Sequence, residues 1–341
     1  MAPGQWLLVD RHEGALEPTL TQARAAIVTD RFLGYGFRAV TAVFPLAPPE
    51  QKIMNYRHIY HAGNFADVFK HAILVGLLTH LRAKPTPFRV FDTHAGIGGY
   101  DLTSAAAEKT GEAAAGIGRL LALTTPPPEL AAYLDLVRDY AAGSAGAARA
   151  AGTGATLYPG SPALAQALLR PDDRLVLAEL HPDDAATLKA AFARDRRVTV
   201  HHMDGYQALK SLLPPHERRG LVLIDPPFEV TDEFDRLAKG LATAWKRWPT
   251  GIYALWYPIK ERPSVWRFHE AIAKSGFTKA LVAELTIHPE DDWRRLNGCG
   301  MVILNPPWQA EIWLAALGHA LHRALAPAGG GSVVQWLIED K

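Results

Sequence analysis

The chain has 341 residues, 48% hydrophobic and 21% charged, with a formal net charge of +1, which is ordinary for a globular protein and excludes a disordered chain or a broad basic field. Its single cysteine, Cys299, excludes an intrachain disulfide and a thiolate metal site, so we expect a reducing compartment in which Cys299 serves packing. No apolar stretch reaches the roughly 20 residues of a membrane span, and the N-terminus lacks a signal-peptide core, so we expect a cytoplasmic protein.

Residues 1–53 differ from the rest of the chain because they show no sustained hydrophobic period. They end in a proline-rich stretch, Phe44–Glu50, whose composition is typical of a linker. Met54 then begins a strongly patterned segment. We interpret residues 1–53 as an N-terminal extension, namely a translated leader before a native start at Met54, with a genuine accessory extension as the alternative. Residues 54–341 form the main predicted domain.

The segment 56–82 is polar at its start and apolar towards its end. We expect Asn64 or Asp67 to begin a helix that runs to about Arg82. Its first part, residues 56–71, contains three histidines: His58, His61 and His71. They lack the spacing of a three-ligand zinc face, so we expect no metal there. We interpret the start of the segment as a loop that contacts cofactor and substrate.

From Phe88 onward, short apolar runs alternate with segments of helical period, which is typical of a mostly parallel sheet covered on both faces. Seven strands are predicted: Phe88–Asp92, Arg174–Leu180, Val198–Asp204, Gly220–Asp225, Gly251–Tyr257, Phe277–Ile287 and Gly300–Asn305. The helices predicted between them include His181–Arg194, Glu233–Trp245 and Val265–Ser275. The pattern predicts a doubly wound α/β fold, in which ligands bind at the carboxyl ends of the strands.

Four predicted strands carry an acid at or beside their carboxyl ends: Asp92, Glu179, Asp204 and Asp225. The glycine-rich turn after Asp92 is neither GxGxxG nor a P-loop, and an acid before it would repel a pyrophosphate. Asp92 suits instead a cofactor with a cationic amine, such as S-adenosylmethionine. Glu179 is then placed to accept ribose hydroxyls, and Asp204-Gly205 to receive the adenine amine. Each acid alone is equally well explained as a helix N-cap, so the prediction depends on their joint occurrence.

The interval between Asp92 and Glu179 is unusually long, at 87 residues. A Rossmann-like fold places the ribose acid about 20 residues after the glycine turn. The extra sequence includes a helix predicted from Glu129 to Ala142, followed by a run rich in alanine and glycine. We interpret residues 104–157 as an inserted helical subdomain over the cofactor cleft, where it would shape access of the substrate.

The motif Asp225-Pro226-Pro227-Phe228 closes the fourth predicted strand. The prolines stiffen the chain and leave backbone carbonyls free to accept hydrogen bonds. With the Asp225 carboxylate, they can hold both protons of a planar amine while Phe228 offers a face for a base. A rigid turn without ligand is the alternative. We interpret the similar motif Asn305-Pro306-Pro307-Trp308 as such a turn, because it follows the last predicted strand, far from Asp92.

Taken together, these motifs resemble the RlmJ family of 23S rRNA adenine-N6 methyltransferases. The resemblance runs from Met54 to the C-terminus through these stretches: Tyr56–His58, His61–Asn64, Asp92–Gly96, Tyr158–Pro162, Glu179–Pro182, Asp204-Gly205, Asp225–Pro227, Ala254–Pro258 and Asn305–Trp308. It implies a class I, Rossmann-like methyltransferase fold, S-adenosylmethionine as donor and one adenine of 23S rRNA, adenine 2030, as acceptor. The implied cofactor-binding residues are His71, His94, Ser161, Glu179, Asp204 and Gly205.

By the same resemblance, Asp225 is catalytic, with Pro226 and Phe228 beside it, and Tyr56 helps to place the adenine. Phe228 stands where the family usually has tyrosine, so a hydrogen bond from that hydroxyl would be lost. The implied partner is 23S rRNA, free of protein or early in assembly, and a monomer is expected. Because the net charge is only +1, any contact with nucleic acid would come from local basic pairs such as Arg218-Arg219 and Arg294-Arg295, for which plain solvated surface is the alternative.

Two other functions fit the amine clamp. It cannot distinguish RNA from DNA, so a DNA adenine-N6 or small-molecule methyltransferase is the main alternative among enzymes. A non-catalytic protein that binds RNA or a nucleotide is the alternative outside enzymes. A NAD-dependent reductase fits least, because the glycine pattern is wrong for it.

Overall fold

The computed structural model describes residues 58–150, 156–326 and 329–339, apart from the side chains of residues 144–150, together with two short strands in the N-terminal segment. These strands, β1 (Ala26–Val28) and β2 (Val40–Ala42), pair antiparallel. The chain divides into two compact units, Met1–Asn55 and Tyr56–Lys341. The expectation for Tyr56 and most of that for residues 1–53 concern positions outside the described residues.

The second unit begins with a 3₁₀ turn (His58–Tyr60) and the long helix α1 (Phe65–Arg82). The Asn64 side chain accepts hydrogen bonds from the backbone N–H groups of Ala66 and Asp67, both at 2.9 Å, so the helix begins with the predicted N-cap. Most of α1 is apolar and buried, yet it also buries three ionisable side chains: Asp67, Lys70 and His71. No helix in the described ranges is long and apolar enough to cross a bilayer.

The main sheet has eight strands in the described part of the chain, in the order β12-β10-β11-β9-β8-β3-β6-β7. Their bounds are β3 (Arg89–Asp92), β6 (Arg174–Glu179), β7 (Val198–His202), β8 (Gly220–Ile224), β9 (Ile252–Ile259), β10 (Ala280–Thr286), β11 (Gly298–Leu304) and β12 (Gly331–Ile338). Strands β7, β6, β3, β8 and β9 are mutually parallel, whereas β11 is antiparallel to β9 and β10. A separate pair, β4 (Gly99–Asp101) and β5 (Leu157–Pro159), is antiparallel.

All seven predicted strands are present, but the predicted strand number is wrong, because β12 adds an eighth at the edge. It pairs only with β10 and is largely half-buried or exposed, with Ser332 and Gln335 among its residues. An edge strand that mixes polar and apolar residues after a glycine run lacks the continuous apolar signal of the buried strands. The doubly wound, mostly parallel α/β fold itself is confirmed.

Helices cover both faces of the sheet and make two hydrophobic cores. The helices that follow β5 in the chain are α5 (Ser161–Ala167), α6 (Pro182–Phe192), α7 (Gly205–Ser211), α8 (Glu233–Arg247), α9 (Arg262–Ala273) and α10 (Ala310–Leu325). Helices α1, α5, α6 and α10 contribute to one core, and α7, α8 and α9 to the other. Cys299 is fully buried in the first core, in agreement with a packing role.

The described part of the region between β4 and β5 is largely helical. It comprises α2 (Ala105–Thr110), a π-helical turn (Ala114–Gly118), α3 (Arg119–Leu121) and α4 (Pro128–Ala150). Several contacts join this region to the loop before α1, among them one between His61 and Glu112. The Glu112 carboxylate bonds the Asn64 side-chain amide at 2.9 Å, Thr110 Oγ1 donates to Tyr60 O at 2.6 Å, and Ile117 N donates to Gly63 O at 2.8 Å. The inserted helices therefore hold the polar loop in place.

Candidate active site

The parallel strands bring the four predicted acids to one edge of the sheet. Strands β7, β6, β3 and β8 are neighbours in that order, and the acids lie at or just after their carboxyl ends. Asp225 lies close enough to Asp92 and His94 to act on both electrostatically, although burial is the larger influence on the pKa of each. In a doubly wound fold this edge is where ligands bind.

Asp92 is a buried acid to which no cation among the described residues is bonded. Ser161 Oγ donates to Asp92 Oδ2 at 2.6 Å, and the backbone N–H of His94 donates to Oδ1 at 3.3 Å. Burial raises the pKa of Asp92 to about 6 despite these hydrogen bonds. Removing the carboxylate from water disfavours its charge, so a cationic guest would be stabilised beside it.

Glu179 holds the glycine-rich turn. Its carboxylate accepts hydrogen bonds from Gly96 N and His181 N, each at 2.8 Å, and burial raises its pKa. Gly96 and Gly98 have φ values of +61° and +86°, a region that other residues rarely adopt. The turn thus requires glycine, and Glu179 fixes its shape next to β6.

Asp204 caps helix α7 by accepting a hydrogen bond from Gln207 N at 2.9 Å. The N-cap alternative is therefore realised at this position, and it does not exclude a ligand on the second oxygen. Gly205 permits close packing, because a Cβ there would clash with Thr93 O and lie 2.8 Å from His94 Cε1. Burial lowers the pKa of His94 to about 4, so the His94 ring is neutral at pH 7.

His71 lies in a buried network rather than on the edge of the sheet. Its Nδ1 bonds the Tyr158 hydroxyl at 2.8 Å, which in turn bonds the Tyr133 hydroxyl at 2.9 Å. Burial lowers the pKa of His71 to about 3, so this ring is also neutral. The network joins α1 to β5 and α4, immediately before Ser161 at the start of α5.

Asp225 takes part in an ionic chain that runs into α1. Lys70 Nζ donates to Asp225 Oδ2 and also lies 2.9 Å from Asp67 Oδ1. The other oxygen of Asp67 accepts from His58 Nε2 at 2.8 Å and Gly63 N at 3.0 Å. Burial alone would lower the pKa of Lys70, but the two carboxylates outweigh it and raise that pKa well above its ordinary value. Lys70 is therefore a fixed ammonium between Asp67 and Asp225.

Phe228 is held in an unusual backbone conformation at the end of the same motif. Its φ is +50°, in the left-handed region that an aromatic residue enters only at an energetic cost. Its ring packs edge-on against Phe234 and Trp256, with centroids 5.0 and 5.8 Å apart. The turn after β8 thus directs Phe228 towards a cavity.

This cavity has a volume of about 700 Å³ and is lined by residues that sequence reasoning placed in different motifs. The Asp225–Phe228 turn forms one wall, α1 and the loop before it a second, and the segment between β10 and β11 a third. The volume falls in the range of small-molecule and base-binding pockets. Asp225 is 16% exposed and faces this space while its other side meets Lys70.

The second motif, Asn305–Trp308, lies at the end of the sheet opposite to the carboxyl ends of the parallel strands. Strand β11 is antiparallel to β9, so its carboxyl end meets the start of β9. There the Asn305 amide donates to Pro249 O and Gly251 O, both at 2.8 Å. These contacts confirm the interpretation as a turn, and the antiparallel direction of β11 is the physical reason.

Sequence reasoning assigned no chemical role to Asp67 and Lys70 and considered His58 only as a metal ligand. A lysine three residues after an aspartate, within an otherwise apolar helix, was an available signal, because a buried lysine needs a partner. In the parts of the chain that the structure describes, no three His, Cys, Asp or Glu side chains form a group able to hold a metal ion.

Comparison with known proteins agrees with this geometry. The family model described as "Ribosomal RNA large subunit methyltransferase D, RlmJ" matches residues 85–338. Ribosomal RNA large subunit methyltransferase J of Escherichia coli (strain K12) is 42% identical over 289 residues, 84% of this chain and 100% of that protein. The chain belongs to the RlmJ family. The same-named Haemophilus influenzae protein is 41% identical over equal shares of both chains.

A solved structure also resembles this member of the RlmJ family. Protein LPL1258 from Legionella pneumophila is 31% identical, with a TM-score of 0.71 over 81% of this chain and 98% of that chain. The family resemblance read from the motifs is therefore confirmed, and so is the class I, Rossmann-like methyltransferase fold. RlmJ membership makes this chain a methyltransferase whose methyl donor is S-adenosylmethionine.

Proposed function

We propose that this protein methylates the exocyclic N6 amine of one adenine in 23S rRNA, which is adenine 2030 by family resemblance. The observation that carries the proposal is the position of Asp225. Its carboxylate lines a cavity large enough for a base while lying beside the acids at the carboxyl edge of the sheet. An enzyme that transfers a methyl group from a nucleoside cofactor to a base needs a hydrogen-bond acceptor for the base where the two binding sites meet.

The residues present fit S-adenosylmethionine. Asp92 is a buried carboxylate with no cation bonded to it by any described residue, and it suits the amino group of the methionine part. Glu179 fits the ribose hydroxyls, Asp204 and Gly205 the adenine, and His71, His94 and Ser161 would complete the wall. When bound, the cofactor supplies an activated methyl group on a sulfonium.

Asp225 and its neighbours would orient the adenine amine. The N6 lone pair is delocalised into the ring, so N6 is a poor nucleophile. Asp225 Oδ1 accepts no hydrogen bond from any described residue, and together with the Pro226 carbonyl it can hold the two amine protons. Phe228 offers a face for stacking and Tyr56 would help to place the base. Asp225 or water then takes the proton that N6 loses on methylation.

Lys70 contributes by stabilising the negative charge of Asp225. The ammonium binds Oδ2 and leaves Oδ1 on the side of the cavity. An ionised carboxylate can only accept a hydrogen bond from the amine, whereas a protonated one can donate instead. Asp67 and His58 hold Lys70 in turn, so the ionic chain would position the acceptor.

The finer features of the substrate and the enzyme are part of the same proposal. Because the adenine amine is paired in a duplex, the base must be unstacked or single-stranded to enter the cavity. We therefore expect 23S rRNA free of protein, or an early assembly intermediate, as substrate and a cytoplasmic monomer as enzyme. Residues 104–157 would act as the subdomain that shapes access to the cavity.

The test is the replacement of Asp225 by alanine, with asparagine as the isosteric variant. Both should lower kcat on transcribed 23S rRNA by at least about 100-fold, because an oriented acceptor is lost. Binding of S-adenosylmethionine, measured by calorimetry, should stay nearly intact. Normal turnover by either variant would refute the role of Asp225.

Asp195→Asn is a matched control for this experiment. Asp195 is also ion-paired, to Arg197, and its side chain is 15% exposed, against 16% for Asp225. It precedes β7 and so lies at the other end of that strand. This variant should retain its activity. Assays on DNA and on assembled ribosomal subunits would identify a different acceptor, and mass mapping of the rRNA product would locate the methyl group.

A further inference from the structure

The segment between β10 and β11, residues 287–297, forms one side of the cavity mouth. Ile287, His288, Arg294 and Leu296 line the cavity. Trp293 lies among them in sequence, and its side chain is 70% exposed. The proposed chemistry at Asp225 gives no role to Trp293. The exposed face of an indole ring can stack on a nucleic-acid base.

The segment that carries Trp293 is well fixed. Asn297 is fully buried, and its side-chain amide donates to Lys260 O at 3.0 Å and to Asp292 O at 2.9 Å. Arg295 Nε donates to Asn297 Oδ1 at 2.7 Å. These bonds join the segment to the end of β9. The fold thus holds the Trp293 backbone beside the cavity at little further entropic cost on binding.

The charges around Trp293 favour an anionic strand as the occupant. Arg294 is oriented by a bidentate contact with Asp292, in which Nε–Oδ1 is 2.9 Å and Nη2–Oδ2 is 3.0 Å. Lys260 and Arg119 also line the cavity. The acids of the cavity wall are paired, Asp67 and Asp225 with Lys70 and Glu112 with His61. The three acids that precede Trp293, namely Glu290, Asp291 and Asp292, are paired with Arg262, Arg295 and Arg294. Cations near an exposed aromatic ring are the usual combination for single-stranded nucleic acid.

We infer that Trp293 is a stacking platform for a nucleotide next to the target adenine, with Arg294 and Lys260 near the phosphates of the same strand. The inference rests on the proposed function and deepens it. An adenine that enters the cavity leaves its neighbours without a stacking partner on one side. The indole ring replaces that partner, and it lowers the cost of extracting the base.

The experiment measures methyl transfer to transcribed 23S rRNA as a function of RNA concentration. Trp293→Ala should raise KM for RNA about tenfold, since stacking on one aromatic ring contributes that much or more, and leave KM for S-adenosylmethionine unchanged. Trp293→Phe should restore most of the affinity, because a flat ring is retained. A merely structural role for the residue would instead lower thermal stability and alter both KM values.

Trp308→Ala is the matched control, since Trp308 is 82% exposed but lies beyond β11 at the other edge of the sheet. It should behave like the wild type. An unchanged KM for RNA in Trp293→Ala, or a phenylalanine variant as impaired as the alanine one, would overturn the inference while the wild type remains active. Failure of the wild-type protein to methylate 23S rRNA would instead refute the proposed function, and with it this inference.

Discussion

Replacing Asp92 by asparagine should stabilise the protein at neutral pH while it weakens binding of S-adenosylmethionine. Burial raises the pKa of Asp92 from 3.8 to about 6. Between these values the folded protein keeps a proton that the unfolded chain has released, so its stability falls as pH rises through this window. Two pKa units correspond to a loss of about 3 kcal/mol in the free energy of unfolding, and this loss is complete above about pH 6.

Asparagine removes this cost because it carries no charge. The hydrogen bond from Ser161 to the carboxylate becomes a weaker, neutral one, a loss of about 1 kcal/mol. The net expectation is a gain of roughly 1 to 2 kcal/mol in the free energy of unfolding at pH 8, and none at pH 4. The affinity for the cofactor should fall by at least about tenfold, since an ammonium loses its counter-ion.

Urea denaturation at pH 4, 6 and 8 measures the free energy of unfolding, and calorimetry measures the affinity for S-adenosylmethionine. Asp173→Asn is the control of opposite sign. Burial would raise the pKa of Asp173, but hydrogen bonds from Arg170 and from Phe88 N outweigh it and lower that pKa. That variant should lose stability at pH 8. An Asp92→Asn protein no more stable than wild type at pH 8, or one that binds cofactor equally well, would refute the reasoning.

Two further predictions concern the ionic chain and the N-terminal segment. Lys70→Met leaves Asp67 and Asp225 without their shared cation; because Lys70 is only 5% exposed, we expect a loss of about 3 kcal/mol at pH 8. Thermal denaturation of the variant and the wild type at pH 8 measures this loss, and an unchanged Tm would contradict the assignment. A chain that starts at Met54 should methylate 23S rRNA as fast as the full-length chain, because the curated relatives are matched over their whole length by 84% of this chain. A slower truncated enzyme, compared in the same assay, would favour an accessory extension instead.

The acids at the strand ends could be predicted because their signal is local. A buried parallel strand is a continuous apolar run, and the residue that ends it is at the ligand-binding edge whatever the rest of the chain does. Asp92, Glu179 and Asp225 were located this way. Asp204 shows the limit of the method: it caps α7 and also lies at that edge, and both roles select the same residue.

Other parts of the site depend on contacts between distant segments. Lys70 meets Asp225 across 155 positions of sequence, and no pattern within α1 indicates which carboxylate its ammonium will reach. Strand β11 runs antiparallel to β9, and this direction places Asn305–Trp308 away from the site. The sequence alone shows where the motif stands along the chain, but not the direction of β11 in the sheet. The edge strand β12 was missed because half-burial weakens the apolar signal.

The charge distribution of the site gives a reason why this fold retains so many costly groups. Asp67, Asp92 and Asp225 gather around Lys70, so the described cluster carries net negative charge at pH 7, above the pKa of Asp92. The buried charge of Asp92 lowers the stability of the folded protein above about pH 6, and in the proposed site it would attract a cationic donor more than the neutral sulfide that remains after methyl transfer. The carboxylate that lowers stability would therefore favour exchange of spent cofactor for fresh donor. Phe228, whose backbone lies in the left-handed region, adds a further local cost in stability, and its side chain forms part of the cavity wall.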